Sequence, residues 1–544
     1  MSHRFTFSEL LLTLAREFHS EPAFIEDDRI VTWSEFSHDV WTFADFLKER
    51  GLGSRVPRSQ LQNYESGQDH VAICMQNSVN YMAVYLGSCA ARTAPLNVNY
   101  KYTAEELRFI LIDSEAKVLV YDSQFAEVVA EATKGLLDEI VLVENIPSGE
   151  VARLGNAVEL LSCYAKTPSD PEFLVADSSP DDFVLLYTGG TTGMPKGVMW
   201  TQEDLFVQAL GGRNYREGGR EWNSVDELLA SVLARRARRL MPACPFMHGT
   251  GLWTALQTLF GGGTVVLPKP ALSFQASDAM DVISRHEVVS LVIVGDAFVR
   301  SITQELKATP RSLPHLKYII SSGAAISELN KELLAQLLPH VDLKNIVGSS
   351  ESGPQAEESD REDFTPRIGA VILAEDKSTI IDSSIEKIGW LATCGHIPLG
   401  YLNDATKTNA TFPVVDGIRY SIPGDRVVSL GDGRFRFMGR DSLMINTGGE
   451  KVFVEEVEEA LKAHPAVRDV LVVGRPSERW GQEVVAIVSL KVSSVANDEL
   501  LAAASVKIAR YKLPKAIIIV DNVQRSPAGK GDYRWATSVA GLAT

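Results

Sequence analysis

A chain of 544 residues, 45% hydrophobic and 23% charged, is too long for one hydrophobic core and has the composition of a globular protein of at least two domains. Its net charge of −17 argues against a general nucleic-acid binder, because neutralising phosphates takes clustered Lys and Arg. Cys74, Cys89, Cys163, Cys244 and Cys394 are scattered without a CxxC pair, a pattern of neither a zinc site nor a disulfide framework that fits a reducing, cytoplasmic setting.

The opening MSHRFTFSELLLTLAREF lacks the basic-then-apolar order of a secretory leader, and its apolar residues recur at helical spacing, which predicts a surface helix. No run of eighteen apolar residues occurs, so no transmembrane segment is expected. Thr32 with Glu35, and Thr103 with Glu106, have the spacing of capping boxes that open amphipathic helices. The stretch GLGSRVPRSQLQNYESGQ is the most loop-like. Short β-rich runs lie at Lys117–Tyr121, Asp182–Tyr187, Val288–Val294, Tyr318–Ile320, Val470–Val473, Val484–Leu490 and Ala516–Val520. Alternation of such runs with helical segments predicts α/β layers, with strands covered by crossover helices.

Residues Asp181 to Val198 read DDFVLLYTGGTTGMPKGV, an apolar strand running into a loop. Glycines at 189, 190, 193 and 197 let backbone N–H groups converge on an anion. Hydroxyls at Thr188, Thr191 and Thr192 add donors, and Lys196 adds a positive charge, a set suited to polyphosphate. The common nucleotide loop GxxxxGK[ST] is absent, and an incidental Gly-rich turn is the weaker alternative even for the loop taken alone.

YTGGTTGMPKG is similar to the signature of the adenylate-forming superfamily, which includes acyl-CoA synthetases, peptide-synthetase adenylation domains and firefly-type luciferases. The family usually has YTSGTTGxPKG; Gly189 stands where Ser is typical, a loss of one donor. The resemblance runs from about residue 20 to 535 with the motifs in family order. It implies a large N-terminal domain of layered α/β subdomains (1–438), a hinge (439–443) and a small mobile α+β C-terminal domain (444–544).

In MPACPFMHGTG, His248 matches the family position beside the acyl pocket; Phe246 and Trp253 either line that pocket or belong to the core. VGDAFVR resembles the substrate-side turn, where Gly295 is expected to leave room for an acyl chain. ISSGAAI resembles the segment facing adenine, with Gly323, Ala324 and Ala325 bringing backbone to the ring. VGSSESG resembles YGxTE: Gly348, Ser349 and Ser350 fall on the phosphate side, Glu351 on the carboxylate that helps hold magnesium, and Val347 replaces the usual Tyr. GHIPLGYLNDATKT matches a further segment through Gly400 and Tyr401, read as structural.

In SIPGDRV, Asp425 is placed to accept from both ribose hydroxyls. FMGRDSLMINTGGEKVFVEEVEEAL is the longest match. It puts Arg440 on the nucleotide contact at the hinge, Ser442 where many relatives have Asp or Lys, and Gly449 and Lys451 on the loop presented during thioester formation. Phe453–His464 reads as a helix with Val454, Val457 and Leu461 on one face, ended by Pro465. RSPAGKGDYR resembles the terminal motif and assigns the catalytic lysine to Lys530.

The resemblance implies an acyl-CoA synthetase with Lys530, Glu351 and His248 as catalytic residues, Glu351 as metal ligand, and ATP, Mg2+ and coenzyme A as cofactor and co-substrates. The acid is expected to be a medium- to long-chain fatty acid or a steroid side-chain acid. An acyl-AMP ligase loading a carrier protein and a non-catalytic nucleotide-binding homologue stay open, as does a homodimer. No nucleic acid is expected as a partner. The basic run LARRARRL reads as a contact for a coenzyme A phosphate, an acidic membrane surface or a solvated face.

Overall fold

The computed structural model describes residues 3–136, 139–146, 150, 153–188, 195–234, 238–360, 363–440, 443–447, 450–477, 481–492, 494–508, 510–525 and 529–542. The chain is a mixed α/β protein with a large N-terminal and a small C-terminal domain. Two sheets build the large domain. In the first, Pro22–Glu26, Thr264–Leu267, Arg239–Pro242, Ser290–Ile293, Tyr318–Ser322 and Asp342–Ser349 are neighbours in that order and pair in parallel. An antiparallel extension continues it through Gly353–Asp360 and Asp363–Pro366 to Phe435–Arg440, Asp425–Leu430 and Glu386–Cys394. In the second, Val141–Asn145, Ala116–Asp122, His70–Cys74, Ala94–Asn97 and Phe183–Thr188 run parallel, and Lys196–Thr201 returns antiparallel.

Side-chain alternation along the strands sorts the core into layers. Val71, Ile73, Val118 and Val120 of the second sheet share one cluster with Phe24, Val265 and Leu267 of the first, whereas Ala72, Cys74, Leu119 and Tyr121 face away from it. The helices Phe7–Glu17, Trp33–Glu49, Val79–Ala90 and Gly249–Phe260 fill that shared cluster and so lie between the sheets. Ala276–Arg285, Gly295–Ala308 and Glu328–Leu337 cover the outer face of the first sheet, and Ala104–Asp113 and Ala126–Ala132 that of the second. Burial on both faces explains why these strands read as continuous apolar runs.

All seven β-rich runs form strands, Ala516–Val520 with the expected bounds. Both capping boxes are present: Thr32 and Thr103 accept from the N–H groups of Glu35 and Glu106, and each Glu carboxylate accepts in return. A cap of this kind stabilises its helix by about 1 kcal/mol. The first helix departs from expectation. It is not a surface helix, because Phe7, Leu10, Leu11, Leu12, Leu14 and Ala15 are all buried between the two sheets. All five cysteines are free thiols, four of them buried. Among the described residues no helix is long and apolar enough to cross a membrane.

The small domain repeats the logic on a smaller scale. Its sheet pairs Val467–Ser477 with Gly481–Leu490, which also carries Ala516–Val520 in parallel. Val470 and Val472 pack on the helices Val454–Lys462 and Asn497–Ser505, and Leu471 and Val473 on Tyr533–Leu542. The helix Val454–Lys462 buries Val454, Val457 and Leu461 as its spacing predicts. Where the domains meet, Gly439 has φ +131°, and a Cβ there would fall 2.2 Å from the Glu455 carboxylate. Of the expected hinge residues, 441 and 442 lie outside the described residues.

Candidate active site

Ser290–Ile293, Tyr318–Ser322 and Asp342–Ser349 are parallel neighbours, so Val294, Gly323 and Ser349 emerge side by side from their carboxyl ends. That edge of a parallel sheet is where ligands of such folds bind. A cavity of about 750 Å³ opens there. Thr188, His248, Gly323, Gly348, Ser349, Ser350 and Lys530 all line it, bringing together five sequence segments and both domains.

The phosphate-loop strand ends at Thr188 on the cavity wall; Gly189, Gly190, Thr191 and Thr192 lie outside the described residues. Buried Asn97 fastens this strand end. Its side chain accepts from the Tyr187 N–H at 2.8 Å and donates to the Tyr187 carbonyl at 3.1 Å and to the Met247 carbonyl. One side chain thereby ties the loop's root to the residue before His248. Lys196 does not line the cavity; it pairs with Asp404, at the start of the helix Ala405–Thr411.

His248 precedes the helix Gly249–Phe260 and is half-buried, with its Nε2 enclosed and unpartnered. Burial first, then the charges of Lys530 and Lys101, push its pKa down to about 4. The ring is therefore neutral at pH 7 and retains a nitrogen for hydrogen bonding inside the cavity. Phe246 is core, edge-on to Tyr81 at 5.4 Å, while Trp253 lines the cavity.

Gly295 does not leave room for an acyl chain. Its φ is +61°, and a Cβ would meet the Ala324 Cβ at 2.7 Å and the Ala325 carbonyl at 2.9 Å, so the glycine serves the turn and the packing beneath it. Of the ISSGAAI turn, Gly323 borders the cavity, Ala324 packs on Gly295, and Ala325 is exposed away from the cavity lining.

Ser349 accepts from the Glu351 N–H at 3.2 Å, and the Ser350 carbonyl accepts from the Trp200 indole at 2.8 Å, which fixes this turn. The Glu351 carboxylate accepts from the Tyr401 hydroxyl at 2.9 Å. Tyr401, read from sequence as structural, thus touches the candidate metal ligand. Val347 packs against a core cluster that contains Ala356 and Phe435. Among the described residues, no group of three or more His, Cys, Asp or Glu could hold a metal on protein atoms alone. One carboxylate beside serine hydroxyls suits magnesium, which takes one or two carboxylates and fills its shell with water and phosphate oxygens.

Asp425 is buried and stands opposite Arg440 in the antiparallel register. The side chains of Arg440 and Lys451 and all of Gly449 lie outside the described residues. Lys530 enters the cavity from the small domain. A Cβ on Gly529 would sit 3.4 Å from the Val294 carbonyl, and Arg300 donates to the Arg468 carbonyl at 3.4 Å, so the small domain touches the end of the strand Ser290–Ile293 and the helix that follows it. Arg525 braces the loop: it meets Asp469 through two nitrogens, at 2.6 and 2.7 Å, and donates to the Gly529 carbonyl at 3.1 Å. Sequence reading gave no role to Arg525 and Asp404, which lie inside quoted motifs, or to Asn97, which lies in none; all three act by holding residues that line or flank the site.

The family profile for AMP-binding enzymes matches residues 13–387, and that for the AMP-binding enzyme C-terminal domain matches residues 456–530. Medium-chain acyl-CoA ligase Mig of Mycobacterium avium is 39% identical over 98% of this chain and 98% of its own. The 3-oxocholest-4-en-26-oate-CoA ligase of Rhodococcus rhodochrous is 37% identical over 96% of this chain and 93% of its own. Among solved structures, ATP-bound MatB from Rhodopseudomonas palustris aligns over 99% of both chains with a TM-score of 0.79 at 23% identity, a likeness of fold. With a profile spanning well over half its length and relatives of this identity from end to end, the chain belongs to the AMP-binding enzyme family.

Proposed function

We propose that this enzyme is an ATP-dependent acyl-CoA ligase for apolar carboxylic acids, either medium- to long-chain fatty acids or acids with a steroid body. The observation that carries the reading is the meeting of Lys530 from the small domain with Thr188, His248, Gly323 and Ser349 around one cavity. The names of the relatives, a medium-chain acyl-CoA ligase and a steroid-acid CoA ligase, support the class of acid.

In the first half-reaction an oxygen of the acid's carboxylate bonds to the α-phosphorus of ATP, and pyrophosphate leaves with the electron pair of the broken P–O bond. Two anions approach, so the barrier is electrostatic and geometric. The Lys530 ammonium offsets the charge growing on the phosphate, and a well-placed donor of this kind is worth roughly 3 to 4 kcal/mol. Thr188 and the N–H groups around Gly348 to Ser350 orient phosphate oxygens, and Asp425 with Arg440 serves the ribose side. Neutral His248 offers its unpartnered nitrogen to the acid without repelling Lys530. Glu351, steadied by Tyr401, would hold magnesium, which neutralises charge on the phosphates when bound.

In the second half-reaction the coenzyme A thiolate forms a C–S bond at the acyl carbon and AMP leaves. No enzyme nucleophile is needed, because the acyl-adenylate is already a mixed anhydride. Exchange of Lys530 for the Gly449–Lys451 loop by rotation about residues 439–443 would clear the cavity for the thiol. The free thiols are in keeping with a reducing, cytoplasmic setting.

Acid-dependent exchange of labelled pyrophosphate into ATP, followed by acyl-CoA formation on adding free coenzyme A, tests the proposal. If no acid across a broad panel supports exchange, the ligase reading fails. Exchange without thioester formation would move the acceptor from coenzyme A to a carrier protein.

A further inference from the structure

The wall of the cavity on the side of the hairpin Arg213–Asn214 and Arg220–Glu221 has a chemistry that adenylation does not use. Leu186, Val207, Ala209, Trp253 and Pro354 are among the apolar residues that line the cavity. Arg213, Tyr215 and Arg367 also line it, and they come from two elements that meet there. The Arg367 guanidinium donates to the Tyr215 hydroxyl at 3.1 Å and lies 5.5 Å from the centre of its ring. Arg213 is committed to the hairpin, through the Gly219 carbonyl at 3.1 Å and Glu221 at 3.7 Å. Arg367 has no carboxylate partner among the described residues.

The position of Arg367 is built. Its N–H donates to the carbonyl of buried Gln355 at 2.7 Å, and the next residue, Ile368, packs so tightly on the hairpin that a Cβ on Gly219 would fall 2.0 Å from its Cδ1. The carboxylates lining the cavity, Glu106 and Asp532, belong to other walls, and Glu106 is engaged in its capping box. Tyr215 is 56% exposed, so the pair stands at the rim of the cavity; an apolar lining with a phenol at its rim, beside a guanidinium that has no carboxylate partner among the described residues, matches a ligand with an apolar body and an oxygen acceptor at the end that reaches the rim.

We propose that Arg367 and Tyr215 read the end of the acid remote from its reacting carboxyl group, so that the preferred substrate carries a keto or carboxylate oxygen there and not a bare alkyl terminus. This rests on the ligase reading and narrows its substrate class. Arg367 is a specificity residue in this scheme and takes no part in bond making.

The test uses straight-chain alkanoic acids of several lengths, each paired with analogues bearing a keto oxygen or a second carboxylate at the far end, and compares kcat/KM for acyl-CoA formation. The wild-type enzyme is expected to prefer an oxygenated member over its plain partner by roughly tenfold for at least one length, as loss of a hydrogen bond to a charged group implies. Whichever analogue wins identifies a keto or an anionic tail. In Arg367→Met the ratio within that pair falls towards one, with the change carried by KM, and Tyr215→Phe shifts it the same way. Equal kcat/KM within every pair, or a preference that survives both substitutions, overturns the proposal while leaving the ligase reading standing. A panel in which no acid reacts overturns both.

Discussion

The Tyr401 hydroxyl lies 2.9 Å from the Glu351 carboxylate, and three residues further on Asp404 holds Lys196 of the phosphate-loop strand. One short segment therefore touches both the candidate metal ligand and the lysine of the phosphate-loop strand, neither of which itself lines the cavity.

A partner that orients a metal-binding carboxylate affects metal affinity by about 10- to 100-fold. Tyr401→Phe is expected to raise the magnesium concentration for half-maximal pyrophosphate exchange by about tenfold. Glu351→Gln should abolish exchange at any practical magnesium level. A titration curve for Tyr401→Phe that overlays the wild type would remove Tyr401 from this role.

Lys530→Ala is expected to slow adenylation by roughly 10² to 10³, the usual loss for one transition-state donor. Thioester formation from supplied acyl-adenylate should survive. Stopped-flow or quench measurement of each half-reaction checks this, and equal loss in both would refute the division of labour.

Arg525 and Asp469 are both largely buried, and removing one partner of such a pair costs about 3 to 5 kcal/mol. Asp469→Asn should therefore lower the melting temperature of the small domain. Because Arg525 also holds the Gly529 carbonyl, adenylation should slow more than thioester formation. Unaltered melting and unaltered exchange would show that the brace is dispensable.

His396 donates to Asp204 at 2.8 Å and to Glu221 at 2.9 Å, while Arg213 pairs with Glu221 at 3.7 Å and the Arg419 charge acts on Asp204. Burial lowers its pKa, but the bonds and charges of Asp204 and then Glu221 outweigh that and leave it raised. The stability His396 contributes is thus complete below its ordinary pKa near 6.5 and lost as pH rises through the raised value. Denaturant unfolding of His396→Gln against wild type should show the largest deficit near pH 6, shrinking at alkaline pH. A deficit that grows with pH would mean the ring is held neutral.

Where strands are buried on both faces, continuous apolar runs expose them in the text, which is why Phe183–Thr188 and Ser290–Ile293 were legible. The first helix was legible as a helix but its burial was not, since Leu10, Leu11, Leu12 and Leu14 occupy several faces and are enclosed by neighbouring elements that its own periodicity does not reveal. Gly295 misleads for another reason: a glycine signals a need for little volume without saying whether ligand or backbone fills the gap, and here Ala324 does. The motif residues at strand ends were readable because their chemistry is local. Tyr215 and Arg367 were not, being 152 residues apart in sequence and brought together only by the hairpin and the antiparallel part of the sheet.

Gly439 joins the two domains with a hydrogen where any other residue would place a carbon against Glu455. Even alanine would have to push the Glu455 carboxylate aside and hold a φ of +131° that residues with a Cβ rarely adopt, while arrangements that separate strand and helix would be free of that clash. The balance between the pose that delivers Lys530 and every alternative is thereby sensitive to a single methyl group, at a position that contacts neither nucleotide nor acid.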